Sequence, residues 1–268
     1  MPSPARTRVG AHVGRIDEID LVAEARSRGA DCVQIFVSDP QDWKATPLDG
    51  VDAEAVRRAA AEADIAVYVH APYVINVATT NNRIRIPSRK LLQQVVTAAG
   101  AIGAAGVIVH GGHVTSGADA AAGFANWAKA LDRLEPGAPV LIENTAGGNG
   151  AMARTVEQLE RLWAAVGHTD VGLCLDTCHA FSAGIELAEV VERFRAVTGR
   201  VDLVHANDSR DPFGSARDRH ADLGEGEIGA EPVAAVVAAA GCDAVLETPG
   251  VKAGHAQDIA WLREQLTR

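Results

Sequence analysis

The sequence predicts an α/β protein: a single (β/α)8 (TIM) barrel spanning residues 1–268, with a metal site at the C-terminal rim of its strands. Three observations predict it. Eight short apolar runs alternate with amphipathic stretches along the chain, the pattern of repeated βαβ units. The length of 268 residues matches the ~250 residues that such a barrel uses as one domain. Seven of the eight runs lead straight into a histidine, aspartate or glutamate, and in a barrel all strand C-termini share one rim, where catalysis sits. A doubly wound open sheet is the alternative, but no Gly-x-Gly-x-x-Gly follows the first run.

Most runs are nearly continuous in apolar residues, as parallel strands covered on both faces require. The first, Val9-Gly10-Ala11, leads into His12, and Ile19 to Arg28 reads as the helix behind it. The second is Cys32 to Val37. The third, Ile65 to Val69, ends at His70 and is followed by a helical stretch from Ser88 to Ile102. The fourth, Val107 to Val109, ends at His110, with a helix over Asp119 to Leu134 and a short turn over Pro136 to Pro139. The fifth, Val140 to Ile142, ends at Glu143 before the helix Thr155 to Val166. The sixth, Val171 to Leu175, ends at Asp176 before Ile185 to Thr198. The seventh, Val201 to Val204, ends at His205 before Ala230 to Ala240, and the eighth, Ala244 to Leu246, ends at Glu247 before His255 to Leu266. The helical stretches are rich in Ala, Leu, Val, Glu and Arg. No linker divides the chain. The longest polar connection, Asp208 to Gly226, is long for a barrel loop, and such loops are functional or mobile.

Hydrophobic residues make up 47% and charged residues 22%, which excludes a disordered or low-complexity chain. No apolar run reaches ~18 residues, so no membrane span is expected, and Met1 to Gly10 has no apolar stretch of a secretory signal. Cys32, Cys174, Cys178 and Cys242 lack zinc-site or redox spacing, which suits a reducing cytosol. Alanine runs at 59–61, 104–105 and 238–240 point to a GC-rich bacterial genome. The net charge of −10 disfavours non-specific nucleic-acid binding through charge alone. That exclusion weakens if some of the acids hold metal, because a bound cation is the largest local charge in its site.

The strand ends carry the chemistry. Carboxylates and histidines converging with no lysine among them would repel one another unless cations satisfy them together. Loops add more ligand types: Asp176-Thr177-Cys178-His179, Asp218-Arg219-His220 and His110-Gly111-Gly112-His113. A single strand-end histidine is ordinarily a hydrogen-bonded structural group, but a whole rim of them is hard to explain by packing. Cys174 and Cys178 read as core and wall residues. His168 and His255 read as solvated, and His12 as lining the pocket floor or touching metal.

Eight strings resemble the endonuclease IV family of apurinic/apyrimidinic (AP) endonucleases. They are Gly10 to Val13, His70 to Asn76, Val109 to His113, Leu141 to Gly147, Leu175 to Phe181, His205 to Asp208, Asp218 to His220 with Leu223 to Gly226, and Leu246 to Thr248. They occur in family order over nearly the whole chain. The resemblance implies three divalent ions, zinc foremost and manganese as the alternative at one or more seats. By matching motif, His70 and His110 would hold the first ion, and Asp176, His205 and Glu247 the second. Glu143 would bridge these two, and His179, Asp218 and His220 would hold the third. Glu143 and Glu247 would orient the nucleophile. It further implies hydrolysis by a zinc-activated hydroxide of the phosphodiester 5′ to an abasic site in double-stranded DNA. The products would be a 3′-hydroxyl and a 5′-deoxyribose phosphate, with 3′-phosphodiesterase activity as an accompaniment. Rim side chains would fill the gap left by the flipped abasic sugar, which is cheap to flip because stacking is already lost. Gln41, Trp43, Tyr73 and Val74 are the candidates, with Arg83, Arg85, Arg89, Lys90, Arg217 and Arg219 for phosphates. A cytoplasmic monomer with no obligate protein partner is expected.

Two features depart from the family pattern. The loop after His12 reads Gly14-Arg15-Ile16-Asp17, without a Gly-rich segment, and Asp39 and Asp42 make the loop around Gln41 acidic. The competing reading is a divalent-metal sugar isomerase or epimerase of the xylose-isomerase-like barrel class. It has no need of a third-metal set such as His179, Asp218 and His220. A barrel that binds DNA or a partner without catalysis would show gaps among the nine ligands, and there are none.

Overall fold

The computed structural model describes residues 6–44, 46–250 and 252–267. Eight parallel strands close a barrel: β1 (Val9–Arg15), β2 (Cys32–Phe36), β3 (Ala66–His70), β4 (Gly106–His110), β5 (Val140–Glu143), β6 (Gly172–Asp176), β7 (Leu203–His205) and β10 (Asp243–Leu246). Each strand pairs with its sequence neighbour in the barrel, and β10 closes on β1 with Val9 beside Ala244. The helices α1 (Leu21–Arg28), α2 (Ala53–Glu62), α3 (Asn82–Ala101), α4 (Ala120–Leu131) and α5 (Val156–Val166) connect the first six strands. After β6 come α6 (Thr177–Ser182) and α7 (Leu187–Thr198), then α8 (Ala230–Ala240) and α9 (Lys252–Leu266).

Helix ends follow local chemistry. Asp20, Asp52 and Asp119 each accept a backbone N–H at a helix start, and Thr155 with Gln158 forms a reciprocal capping box on α5. Five elements differ from expectation. α2 was hidden in a polar connection, and α6 is too short for a helical period to register. α3 begins six residues before Ser88, because Asn81 caps it upstream of Pro87, a residue that reads as a helix breaker. The Asp208 to Gly226 connection contains a hairpin, β8 (Asp208–Ser209) against β9 (His220–Ala221).

The barrel interior is layered. Cys32, Tyr68, Ile108, Leu141, Cys174, Leu203 and Val245 pack into one buried cluster, one residue from each of seven strands. β1 supplies Gly10 at this level, where an added Cβ would stand 1.7 Å from the Cys32 carbonyl oxygen. Two residues further along each chain segment, on the same face by the period-two pleat, stand His12, Gln34, His70, His110, Glu143, Asp176, His205 and Glu247. An apolar floor thus lies beneath a polar layer at the rim.

Candidate metal centre

Strand register sets His110 beside Glu143 and Asp176 beside His205. The ligand atoms fall into overlapping groups, each within 4.8 Å: His70, His110 and Glu143; Glu143, Asp176, His205 and Glu247; and Asp176, His179 and His220. Asp218 reaches the last group from the loop before β9, with its Oδ1 3.0 Å from His179 Nε2 and 3.1 Å from His220 Nε2. All nine residues expected as ligands therefore converge.

The ring orientations fit cations. His70 Nδ1 faces the Ala71 carbonyl at 2.7 Å, His179 Nδ1 the Asn144 carbonyl at 2.8 Å, and His220 Nδ1 the Glu247 carbonyl at 3.2 Å. A carbonyl only accepts, so in the neutral ring Nδ1 carries the hydrogen and Nε2 presents a lone pair. Glu143 Oε2 stands 3.5 Å from His70 Nε2 and 3.3 Å from His110 Nε2. Glu143 Oε2, His179 Nε2 and His220 Nε2 are buried without a hydrogen-bond partner. Buried polar atoms ordinarily find partners, and divalent cations between these atoms would supply them.

His205 is turned the other way. Gln34 donates through Nε2 to Glu247 Oε1 at 2.6 Å, which leaves its Oε1 to accept from His205 Nε2 at 2.7 Å. The free Nδ1 of His205 then faces Glu143 Oε1 and Glu247 Oε2, each at 3.1 Å. Burial alone would raise Glu143, but His110, His205 and His179 outweigh it and hold the carboxyl well below its ordinary range. Burial alone would lower His220, yet Asp218, Asp176 and Glu247 lift it to about 9. Without cations, protons on the imidazoles offset the carboxylates, and metal would take their place.

Outer residues hold this set in place. Asn144 clamps the Asp176 backbone at both its N–H (2.8 Å) and its carbonyl (3.0 Å). Asn207 donates to Asp176 Oδ2 at 2.7 Å and accepts from the Glu247 N–H at 2.8 Å. Asp208 accepts from five backbone N–H groups, those of Ser209, Gly224, Gly226, Ile228 and Gly229, at 2.7–3.2 Å. That carboxylate ties the hairpin to the loop after it, and the hairpin positions Asp218 and His220. Gln34, Asn144, Asn207 and Asp208 were given no role from sequence. Gln34 did leave a signal, as the lone polar residue inside the second apolar run.

The remaining residues lie around this centre. His12 is outside the ligand groups; it meets Gln34 Nε2 through Nδ1 at 3.2 Å, and burial lowers it to about 4. Trp43, Tyr73, Val74 and His110 line a groove of about 430 Å³ beside the centre. Gln41 and Arg83 are exposed, Arg83 in the first turn of α3. Arg219 forms a two-pronged pair with Asp211 at 2.6 and 2.7 Å, and Arg217 joins it at 3.3 Å. His168 is exposed and pairs with Asp132 at 2.8 Å. His255, expected in solvent, is instead buried between Arg28 and the Thr248 carbonyl. The reason is that α9 turns it inward against α1.

Residues 22–265 match the family described as the xylose isomerase-like TIM barrel. The probable endonuclease 4 of Mycobacterium tuberculosis is 52% identical over 257 residues, covering 96% of this chain and 98% of that protein. That of Mycobacterium leprae matches at the same 52% identity and the same coverage. The crystal structure of endonuclease IV from Thermus thermophilus superposes with a TM-score of 0.83 at 29% identity, covering 97% of this chain and 99% of that one. A D-tagatose 3-epimerase-like protein superposes at a TM-score of 0.78 but only 20% identity, a likeness of fold. With its barrel, its ring of strand-end ligands and these relatives together, the chain belongs to the endonuclease IV family.

Proposed function

We propose that the chain is a metal-dependent AP endonuclease that cuts double-stranded DNA 5′ to an abasic site, leaving a 3′-hydroxyl and a 5′-deoxyribose phosphate. The observation that carries this reading is the third ligand group around Asp218, which sugar isomerisation does not require. His70 and His110 would hold one cation, Asp176, His205 and Glu247 a second, and His179, Asp218 and His220 a third, with Glu143 shared between the first two. Zinc is the foremost candidate, because it takes histidine and carboxylate ligands together. When bound, the cations supply Lewis-acid charge and a nucleophile at neutral pH. Glu143 and Glu247, braced by the surrounding imidazoles and by Gln34, orient the reacting groups. The same chemistry at a 3′ end would give 3′-phosphodiesterase activity.

Gln41, Trp43, Tyr73 and Val74 would occupy the gap left by the flipped sugar. Arg83 would meet phosphate, while Arg217 and Arg219 contribute less charge because Asp211 pairs with both. Gln41→Ala is expected to weaken binding to an abasic duplex several-fold at unchanged metal content, as read by gel shift and metal analysis. Gln34→Ala removes the amide that orients His205. Cation retention under chelator should fall roughly 10–100-fold, and unchanged retention would mean that His205 needs no such partner. The reading itself is tested with a duplex carrying one tetrahydrofuran abasic analogue, which cannot undergo β-elimination. Chelator-sensitive incision on the 5′ side is expected. Intact substrate with protein holding one or two metals would favour the isomerase instead.

A further inference from the structure

We propose that the third cation seat has a sulfur side, supplied by Cys178, which makes it a site for thiophilic divalent cations such as Cd2+. This builds on the three-seat reading above. Cys178 is fully buried at the start of α6, between Asp176 and His179. Its Sγ lies within 4.8 Å of ligand atoms of both Asp218 and His220. A second observation marks the Asp218 side of this group. His179 Nε2, on an almost fully buried ring, has no hydrogen-bond partner and stands 3.0 Å from the Asp218 Oδ1 that His220 also approaches. Among the described residues, no other cysteine joins a group of ligand atoms, so the other two seats offer nitrogen and oxygen only. Thiolate ligands favour soft cations, whereas carboxylate and imidazole suit a wide range of metals. A soft cation would therefore gain one ligand at this seat that it gains nowhere else in the centre. On binding, the thiol releases its proton to solvent and a sulfur–cadmium bond forms, with no change of oxidation state.

The test uses the full-length protein stripped of metal and reloaded with Cd2+. Bound cadmium is counted by mass spectrometry, and ultraviolet sulfur-to-cadmium charge transfer is recorded for the native protein, Cys178→Ala and Cys174→Ala. Cys174 is the control thiol, because it lies in the floor beneath the same centre. The expected result is a charge-transfer band in the native protein and in Cys174→Ala, and its loss in Cys178→Ala with circular dichroism unchanged. A band that persists in Cys178→Ala, or that vanishes in Cys174→Ala, overturns the assignment. Three cadmium ions without a band in the native protein overturn it while leaving the three seats standing. Fewer than three ions without a band would remove both.

Discussion

Glu143→Gln is expected to abolish hydrolysis while the barrel stays folded. Glu143 is fully buried and belongs to two of the ligand groups at once. One oxygen faces His70 and His110, and the other faces His205. Glutamine keeps the volume but removes the shared charge, and it turns one acceptor into a donor aimed at ring nitrogens. Losing an outer-shell partner alone costs roughly 10–100-fold, so the loss of a shared inner ligand should exceed about 100-fold. Incision rate, metal count and thermal unfolding together decide the matter. Substantial incision by a folded Glu143→Gln protein would refute a shared carboxylate as the centre's hinge.

Asp208→Asn is the second large effect, and it acts from outside the centre. The carboxylate accepts five backbone N–H groups. Asparagine keeps one such acceptor and points an N–H2 at donors that already need partners. A buried donor left unsatisfied costs about 1–3 kcal/mol, enough to loosen the loop from 218 to 229. The expected result is the loss of one metal equivalent and a roughly 10–100-fold slower incision, with faster proteolysis confined to that loop. Gly226→Ala should act in the same direction, because an added Cβ would come within 2.4 Å of Asp208 Oδ1. A full metal complement in Asp208→Asn would show that the hairpin seats itself without the carboxylate.

The strands were legible because buried parallel strands are apolar throughout, and six of the nine candidate ligands because they follow those runs directly, whereas His179, Asp218 and His220 stand beyond the runs and were marked by the short Asp–His spacings there. The helices hidden from periodicity had local causes. Two turns of α6 are too few to show a pattern, and Pro87 masked the first turns of α3. The braces were harder to read than the ligands. Gln34, Asn144 and Asn207 make contacts between strands distant in sequence, which no local pattern announces. Asp208 resembled an ordinary loop acid until the five N–H groups were seen around it.

The apolar floor has an electrostatic consequence. Seven packed side chains and Gly10 lie beneath the ligand layer, and the groove beside the centre lies on the rim side, against His110. Low-dielectric walls focus the field of a charged cleft through its opening. A loaded centre would thus act as a single positive aperture in a chain of net charge −10. Against that acidic background a phosphate would be drawn inward at the loaded centre. The floor residues lie outside the ligand groups, yet they would act as the insulator that gives the loaded centre's field its direction.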